Sequence, residues 1–473
     1  MPRITLALAI VGVLMASTPG HSDPYPPATG ADAHRYLSEY ADLGLHRTGT
    51  AGNQTTADWL AGRFASIGLA TSTETFTFSR YLPRAASLSV GSFSPEVFPL
   101  YYSGRTGASG ITAPLVHVGL GTPIDFALHD VAGKIVLIDV PMPLPGLIPT
   151  LSNAITSATT GGAVGVVASI AAPENTISVP DVDSRSGLCG LPTLLTGKID
   201  GEELGLHDGE VATLVLDADY GDAVAPNILG VLPGSSDDIL VIGTPITGWF
   251  TAATERGAGI GAMLTLARYF AERAASRPLS QTLLFLGTSG HEVGFLGLEE
   301  FVRAHPDLIG RISSYLHLGA GVGAKKYLEV GSQIIELPTP DEQRFLTVSE
   351  NPLLIGLAWS AAVLNGVLPV LPAPQGIGAS GEELAMYLAG APVAALKSTF
   401  LWIHTPRDLP DTSSPELIDP VVRMYRDIAS NLLAQNPSTV RQANAVASLL
   451  ATTVPPLPLS IGVISCSSPQ EAP

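Results

Sequence analysis

The sequence predicts an α/β protein with a mostly parallel central sheet that carries helices on both faces. Beyond Pro226, apolar strand-like runs alternate with helical runs, which is the pattern of parallel strands joined by crossover helices. Residues 88–220 instead contain short β-rich runs between glycine and proline turns. Hydrophobic residues make up 46% of the 473 residues, enough for a full core in each of two or three domains.

The first 22 residues predict a secretory signal peptide. Arg3 precedes an apolar run from Ile4 to Ala16, and small residues and proline follow it. No cysteine lies near the expected cleavage point, so no lipid anchor is predicted. We therefore expect the mature protein to be secreted or periplasmic, without a membrane anchor.

Two helices and a strand are predicted between residues 30 and 80. Tyr36, Leu37 and Tyr40 have helical spacing, and a second helical pattern follows the polar loop HRTGTAGN. Gly68 is placed to end that second helix in a left-handed conformation.

Changes in composition and in the pattern of predicted strands and helices along the chain predict its domains. Residues 23–85 and 221–436 form a discontinuous main domain, and residues 86–220 form a β-rich insertion between its two parts. Residues 437–473 are a proline- and serine-rich tail, expected to lie over the surface or to be disordered.

Two further features need an interpretation. The uncharged stretch 352–372 is long enough to cross a bilayer, but prolines at both ends and Gly366 within it favour a buried helix followed by a strand. Cys189 and Cys466 fit no metal-binding spacing, and we expect two free thiols rather than one disulfide.

The charge of the chain argues against nucleic acid as a partner. Lys and Arg number 24 against 42 Asp and Glu, which gives a formal net charge of −18. Phosphate recognition needs a basic face.

Several polar residues fall where parallel strands are predicted to end. They are Glu255, His291, Glu292, His317 and His404. Ligands in such sheets bind beyond the carboxyl ends of the strands. Imidazoles and carboxylates gathered there are the donors that zinc takes, so the residues predict a metal site. A single histidine in an apolar strand, however, is more often a hydrogen-bonded core residue.

The whole pattern resembles the secreted zinc exopeptidases of metallopeptidase family 28, which include aminopeptidases and, more distantly, glutaminyl cyclases. The segments that carry the resemblance are HRTGTAGNQTTADWLAGRFASIGL, PNILGVLPG, DDILVIGTPITGW, GAGIGAMLTLARYF, SGHEVGFLGLEEFV and FLWIHTPRDLPD. The insertion resembles a protease-associated domain through GLGTPIDFALHDVAGKIVLIDV and TTGGAVGVVAS. The resemblance implies a zinc exopeptidase-like fold over nearly all of the mature chain.

The sequence departs from that family at the positions that would hold two metals. The segment Pro245-Ile246-Thr247 stands where the family has an H-x-D turn, so one ligand of the first metal is missing. Glu255 replaces the bridging Asp, His291 replaces the general base, and His317 replaces an Asp of the first metal. His404 and Glu292 match by identity.

The remaining residues imply one zinc ion. Glu255, Glu292 and His404 fall on the three positions of the second metal, with His317 as a fourth ligand or as a residue that orients the water. His291 would then be the general base, because imidazole titrates near neutral pH.

Three more residues are candidates for substrate binding. Glu382 and Glu383 would hold the ammonium group of a substrate at the rim of the cleft, although a solvated helix N-terminus is the simpler explanation. Trp249 would line the pocket, although burial in the core is the commoner fate of tryptophan.

Three functions follow from these residues. The first is a secreted exopeptidase of the aminopeptidase type with an altered, single-metal site, acting on a peptide or amide substrate. The second is an inactive pseudopeptidase that acts as a binding protein. The third is a single-zinc cyclotransferase or another amide hydrolase.

Overall fold

A continuous mixed β-sheet runs through the computed structural model. The model describes residues 27–142, 144–188, 190–331, 333–340, 344–368, 370–374, 381–451 and 464. The predicted signal peptide and both cysteines lie outside these residues.

The strands in chain order are β1 (Ala70–Val90), β2 (Val97–Pro99), β3 (Gly107–His117), β4 (Ile135–Val140), β5 (Gly165–Ile170), β6 (Thr193–Gly197), β7 (Val211–Leu232), β8 (Ile239–Pro245), β9 (Thr282–Thr288), β10 (Ile312–Leu318), β11 (Lys325–Val330), β12 (Gln333–Pro340), β13 (Arg344–Val348), β14 (Leu371–Pro374) and β15 (Val393–Ser398). The α-helices are α1 (Gly30–Asp42), α2 (Ala51–Ile67), α3 (Pro123–Leu128), α4 (Leu144–Thr160), α5 (Lys198–Gly205), α6 (Ala258–Ser276), α7 (Leu296–Ala304), α8 (Pro306–Ile309), α9 (Pro352–Leu364), α10 (Glu383–Leu388), α11 (Pro415–Ala434) and α12 (Pro437–Ala451).

The central strands are parallel and buried, as the alternating pattern predicts. The strand order is β14-β13-β15-β10-β8-β9-β7-β3-β4-β5-β6-β2, and β15, β10, β8 and β9 run parallel to one another. Every residue of β8 and of β10 is buried. The predicted α/β fold with a mostly parallel sheet and helices on both faces is therefore confirmed.

Two long strands join the main part of the molecule to the insertion. β1 and β7 pair antiparallel from Ala70 opposite Val231 to Val90 opposite Ala212. The predicted boundaries after residues 85 and 220 fall inside these strands, so both parts share one sheet. The insertion itself contains the parallel strands β3 to β6 together with helices α3 to α5. Its assignment as a protease-associated domain stays a prediction.

Apolar side chains fill both faces of the central strands. Leu240, Phe285 and Leu316 belong to one cluster with α1, α2, α6 and α11, whereas Val241 and Tyr315 face the cluster beside α7 and α10. This alternation across each strand is why the strands read as continuous apolar runs.

The apolar stretch 352–372 forms helix α9 and the start of strand β14, in agreement with the sequence interpretation. No helix in the described part of the chain has the length and apolar character that a membrane crossing requires.

The tail is expected to lie over the surface or to be disordered, and most of its proline- and serine-rich part, 452–463 and 465–473, lies outside the described residues. Residues 437–451 form helix α12, and Ile464 is 3% exposed. The backbone N–H of Ile464 donates to the carbonyl of Asp181 at 2.8 Å, and its carbonyl accepts from the N–H of Asp183 at 2.9 Å. The chain thus returns to the insertion, because an apolar side chain and two backbone groups find partners there.

Candidate functional site

Four parallel strands carry the candidate residues to one edge of the sheet. A single π-helical turn, Ala253–Gly257, follows β8 and contains Glu255. His291 and Glu292 come after β9, and His317 is the sixth residue of β10. His404 follows β15. The sequence therefore located this edge correctly.

Glu255, Arg256 and His404 form a buried ion group at the centre of the site. The Nε2 atom of His404 lies 2.9 Å from Glu255 Oε1, and the Nη2 atom of Arg256 lies 2.6 Å from the same oxygen. Glu255 and Arg256 are each 1% exposed. One carboxylate therefore faces two cationic partners in a low-dielectric interior.

The surroundings of His404 favour its doubly protonated form. Its Nδ1 atom lies 2.8 Å from the carbonyl oxygen of Val179, which can only accept a hydrogen bond, while Nε2 faces the Glu255 carboxylate. Burial lowers the pKa of His404, but the charges of Glu255 and Asp181 outweigh this effect and raise it to about 9. An imidazolium has no lone pair for a metal.

The pKa of Glu255 shows the opposite balance. Burial alone would raise the pKa of this carboxyl, yet the charges of Arg256 and His404 hold it below its ordinary value. The group thus stays ionised within its ion group.

Glu292 points into a different set of contacts. Its Oε1 accepts from the backbone N–H and the hydroxyl of Thr48, both at 2.7 Å, and its Oε2 accepts from the Thr247 hydroxyl at 2.8 Å. Both oxygens of Glu292 are thus occupied by the loop after α1 and by the turn after β8. Sequence analysis assigned no contact to Thr48 or Thr247, because a hydroxyl residue in a loop or turn carries no distinctive signal for its partner.

The insertion contributes an acidic residue that sequence analysis did not identify. Asp181 is 5% exposed, and its carboxylate accepts from the indole N–H of Trp249 at 3.0 Å. Asp181 Oδ1 lies 3.8 Å from His404 Nε2, and Oδ2 lies 3.8 Å from His291 Nε2. Burial raises the pKa of Asp181 to about 6. The acidic motif VPDVDSR within an apolar region was the available signal.

The segment that holds Asp181 is anchored from both sides. The N–H groups of Val182 and Ser184 donate to the carbonyls of Glu292 and Val293, each at 3.1 Å. Ile464 pairs with Val182 as an isolated bridge. The position of Asp181 is therefore set by backbone pairing rather than by a free loop.

His291 is the most exposed of the central histidine side chains, at 12%. Its Nδ1 lies 3.3 Å from Oε2 of Glu382, whose Oε1 accepts from the Thr288 hydroxyl at 2.6 Å. Burial, together with the neighbouring cations, lowers the pKa of His291 well below its ordinary value, and burial raises the pKa of Glu382 to about 8. His291 is thus a weak base, which differs from the titration near neutral pH expected of it.

His317 belongs to a second buried group. Its Nδ1 lies 2.9 Å from the Tyr315 hydroxyl, and its Nε2 lies 3.8 Å from Glu383 Oε2. Lys397 approaches the other oxygen of Glu383 at 2.5 Å. Burial lowers the pKa of His317 to about 4, which makes it a neutral core histidine.

The acidic pair Glu382 and Glu383 is not located as the sequence suggested. Both residues are 1% exposed and lie beneath the site, so the solvated helix N-terminus and the position at the rim are both wrong. The reason is tertiary: Thr288, His291 and Lys397 supply partners that compensate for burial.

Several residues near the site have left-handed backbone conformations. His404 has φ of 59° and Ala252 has φ of 47°. Such conformations cost about 1–3 kcal/mol and persist only where the surroundings impose them. Here Val179 bonds the backbone and ring of His404, and the carboxylate of Asp408 accepts from the N–H groups of Thr254 and Glu255 at 2.8 and 3.0 Å.

The residues of this site do not fit a zinc ion. Glu255 Oε1 already faces both Arg256 and His404, and both oxygens of Glu292 are bonded to threonines. Across the described residues, no three histidine, cysteine, aspartate or glutamate side chains are arranged to hold an ion. The predicted set of Glu255, Glu292, His404 and His317 is therefore not brought together as one ligand shell.

The arrangement can be compared with solved structures. A zinc aminopeptidase from Bacillus subtilis matches with a TM-score of 0.70 and 21% identity, over 86% of this chain and 95% of that chain. A family 28 peptidase precursor from Shewanella amazonensis matches with a TM-score of 0.70 and 19% identity, over 86% and 94%. The chain has the zinc-exopeptidase fold. An aminopeptidase from Aneurinibacillus matches with a TM-score of 0.58 and 20% identity, over 85% of this chain and 94% of that chain.

No model of a known protein family matches the sequence, and no curated protein matches it either. At these identities the structural likeness establishes the fold and leaves the activity to the residues of the site.

Proposed function

We propose that this protein uses the zinc-exopeptidase fold to bind a peptide-like ligand without hydrolysing it, outside the cytoplasm. The observation that carries the proposal is the buried ion group of Glu255, Arg256 and His404. Hydrolysis by this fold needs a polarising cation with an open position and a base for the attacking water. Arg256 supplies the positive charge of the site but offers no open coordination position. The lowered pKa of His291 makes it a poor base for an attacking water.

A pocket beside Glu292 supports binding. Its empty space, counted out to the open mouth, is about 220 Å³. The walls include Phe78, Tyr101, Tyr102 and Trp249, with Arg47 and Arg80 as cationic members. Inside that mouth the cavity has a volume of only about 10 Å³, roughly the room that one water molecule needs. A peptide-like ligand would therefore contact the aromatic and cationic walls at the mouth rather than enter a deep cavity.

Activity and binding measured together test the proposal. Aminoacyl anilides and peptides with N-terminal Gln are incubated with the purified protein, with added zinc and with a chelator. We expect no release of amine and no cyclisation under either condition. Hydrolysis that disappears in Glu255→Gln would overturn the proposal.

Binding is followed by calorimetry against a library of short peptides. Arg47→Met is expected to weaken binding at least tenfold, because Arg47 lines the pocket. Arg63→Met is the matched control, since Arg63 pairs with Glu39 on the surface. Failure of every peptide to bind also contradicts the proposal.

A single-metal aminopeptidase is the second candidate. It is supported by the likeness of the fold to solved structures of a zinc aminopeptidase from Bacillus subtilis and an aminopeptidase from Aneurinibacillus. Zinc-dependent release of amine is the result that distinguishes it. No arrangement of side chains in the described residues favours the cyclotransferase alternative.

A further inference from the structure

Two arginines lie at the mouth of the pocket beside Glu292. Arg47 comes from the loop between α1 and α2, and Arg80 comes from strand β1. Both are partly exposed, and neither forms an ion pair with a carboxylate in the part of the chain that the structure describes. Two positive charges therefore face the mouth in a chain whose formal net charge is −18.

Contacts within the protein hold both guanidinium groups in place. Arg80 Nη1 donates to the carbonyl of Gly49 at 2.6 Å, and Arg47 Nη1 donates to the hydroxyl of Tyr101. The Cζ atom of Arg47 lies 5.7 Å from the ring centroids of both Phe98 and Tyr101, a distance at which a cation is attracted to an aromatic face. Side chains that are positioned in advance lose less entropy when a ligand binds.

Gly49 allows the loop of Arg47 to lie directly against Arg80. The φ of Gly49 is 69°, and a Cβ added there would lie 2.8 Å from the ring of Phe78 and 3.3 Å from Cδ of Arg80. A larger residue would be strained and would push the loop away from β1. This close approach brings the two arginines to one pocket.

The free donors of these arginines suit a carboxylate. A guanidinium carries five N–H donors in a planar fork, which matches the two oxygens of a carboxylate. The side chains of Arg47 and Arg80 each make one hydrogen bond within the described residues, so most of these donors remain for a ligand. An ammonium group would be repelled by the same charges.

The size and charge of the pocket agree with this choice. The inner space of about 10 Å³ admits a group of about the size of a water molecule, such as one carboxylate oxygen. Glu292 also lines the pocket, but both of its oxygens accept hydrogen bonds from Thr48 and Thr247. Its one negative charge is exceeded by the two positive charges at the mouth.

The acidic residues that would hold a terminal amine are not at the mouth. Glu382 and Glu383 are each 1% exposed. Glu382 accepts from the Thr288 hydroxyl, and Glu383 pairs with Lys397. The exposed charge that a peptide meets is therefore positive.

We infer that Arg47 and Arg80 form a carboxylate-binding site, and that the peptide ligand is held there by a carboxylate group rather than by its terminal amine. The C-terminus and an acidic side chain offer the same chemistry to a guanidinium. The inference rests on the proposed function in one respect, namely that this mouth binds a peptide-like ligand.

Matched acids and amides test the inference with the native protein. The probes are N-acetyl-phenylalanine and alanyl-alanyl-phenylalanine, each as acid and as amide, measured by calorimetry or, for weak binding, by ligand-observed NMR. Each acid is expected to bind at least about tenfold more tightly than its amide, because a charge-assisted hydrogen-bonded pair is lost. Acetylation of the tripeptide amine should change its affinity less than about twofold.

Variants then assign this preference to the two arginines. Arg47→Met and Arg80→Met are each expected to remove most of the preference for the acid, and Arg80→Lys to keep part of it, because the charge remains without the fork. Arg84→Met is the matched control, since Arg84 lies on the same strand but pairs with Asp219. If a methionine variant does not fold, the comparison of acids with amides in the native protein still decides.

A third pair of peptides distinguishes the sources of the carboxylate. Alanyl-glutamyl-phenylalaninamide and its glutamine counterpart have no C-terminal carboxylate. Tight binding of the glutamate peptide alone supports an acidic side chain as the natural group. Weak binding of both, with tight binding of the tripeptide acid, supports the C-terminus.

The outcomes separate the inference from the proposed function. Equal binding of acids and amides, or a preference that persists in both methionine variants, overturns the inference and leaves the binding function intact. Binding of N-acetyl-phenylalanine without binding of any peptide overturns the proposed function alone, as does hydrolysis with an unchanged preference for acids. If no acid binds, both are wrong.

Discussion

At the scale of the residue, partners decide what a titratable group does. His317 lies within the apolar strand β10 and His404 follows the apolar strand β15. The pKa of His317 is lowered to about 4, whereas that of His404 is raised to about 9. Burial dominates for His317, whereas the charges of Glu255 and Asp181 outweigh burial for His404. The sequence does not distinguish the two histidines, because the charges that shift the pKa of His404 come from residues in distant parts of the chain.

His46 provides a test of burial acting alone. The residue is fully buried, stacks on Tyr40 with ring centroids 3.8 Å apart, and contacts the hydroxyl of Thr56 at 2.6 Å. Burial lowers the pKa of His46 to about 3. Its folded pKa lies below the unfolded value of about 6.5, so the unfolded state takes up the proton first and stability falls as the pH drops below 6.5.

We predict that this single group removes about 2 kcal/mol from the free energy of unfolding between pH 7 and pH 5. His46→Gln is expected to lose that much less over the same interval, as measured by urea denaturation. His129→Gln, at an exposed site, serves as the control. Parallel pH profiles for the native protein and His46→Gln would show that the prediction is wrong.

At the scale of the element, a local signal predicted one end of helix α2. Thr50 caps α2 by accepting from the N–H of Asn53, and Gly68 ends the helix in the left-handed region with φ of 94°. Gly68 was predicted from the sequence because the requirement is local: a residue without Cβ takes this conformation at little cost. The position of the segment 179–185, which carries Asp181, was not predicted from the sequence. Its backbone pairs with Glu292 and Ile464, which are remote along the chain.

Two glycines of the same helix region are expected to respond with opposite signs. A Cβ added at Gly62 or at Gly68 meets no atom within 4 Å, so contacts do not contribute. Gly62→Ala should stabilise the protein by about 0.5–1 kcal/mol, because alanine is the better helix former. Gly68→Ala should destabilise it by about 1 kcal/mol, because alanine is strained at positive φ. Urea midpoints measure both, and a shift of the same sign would contradict the argument.

At the scale of the whole molecule, the main domain and the insertion are joined by one shared sheet and by the contact of Ile464 with the insertion. β1 and β7 carry the central sheet into the insertion, and the insertion returns to the site through Val179 and Asp181. Ile464 packs behind the segment 179–185, within the apolar cluster that also contains Trp249 and Trp402. The site therefore depends on three parts of the chain that are far apart in sequence.

Replacing Ile464 tests this packing. Ile464→Ala is expected to lower the free energy of unfolding by about 2 kcal/mol or more, because a buried isoleucine is truncated. It is also expected to speed hydrogen exchange at the amide of Asp183, which donates to Ile464. Leu364→Ala, at a side chain that is 74% exposed, should change stability by less than about 0.5 kcal/mol. Unchanged exchange at Asp183 would contradict the role of this contact.

The sequence by itself determined the fold class, the buried strands, the end of α2, and the sheet edge where the polar residues gather. These features depend on hydrophobic periodicity and on local backbone preferences, and both are set by residues that are adjacent in sequence. Only the tertiary structure decided that Arg256 lies within the ion group, that Asp181 reaches the site from the insertion, and that threonines hold Glu292. Those contacts depend on distances between residues that are remote along the chain, and in a buried site such distances set which charge is compensated and by what.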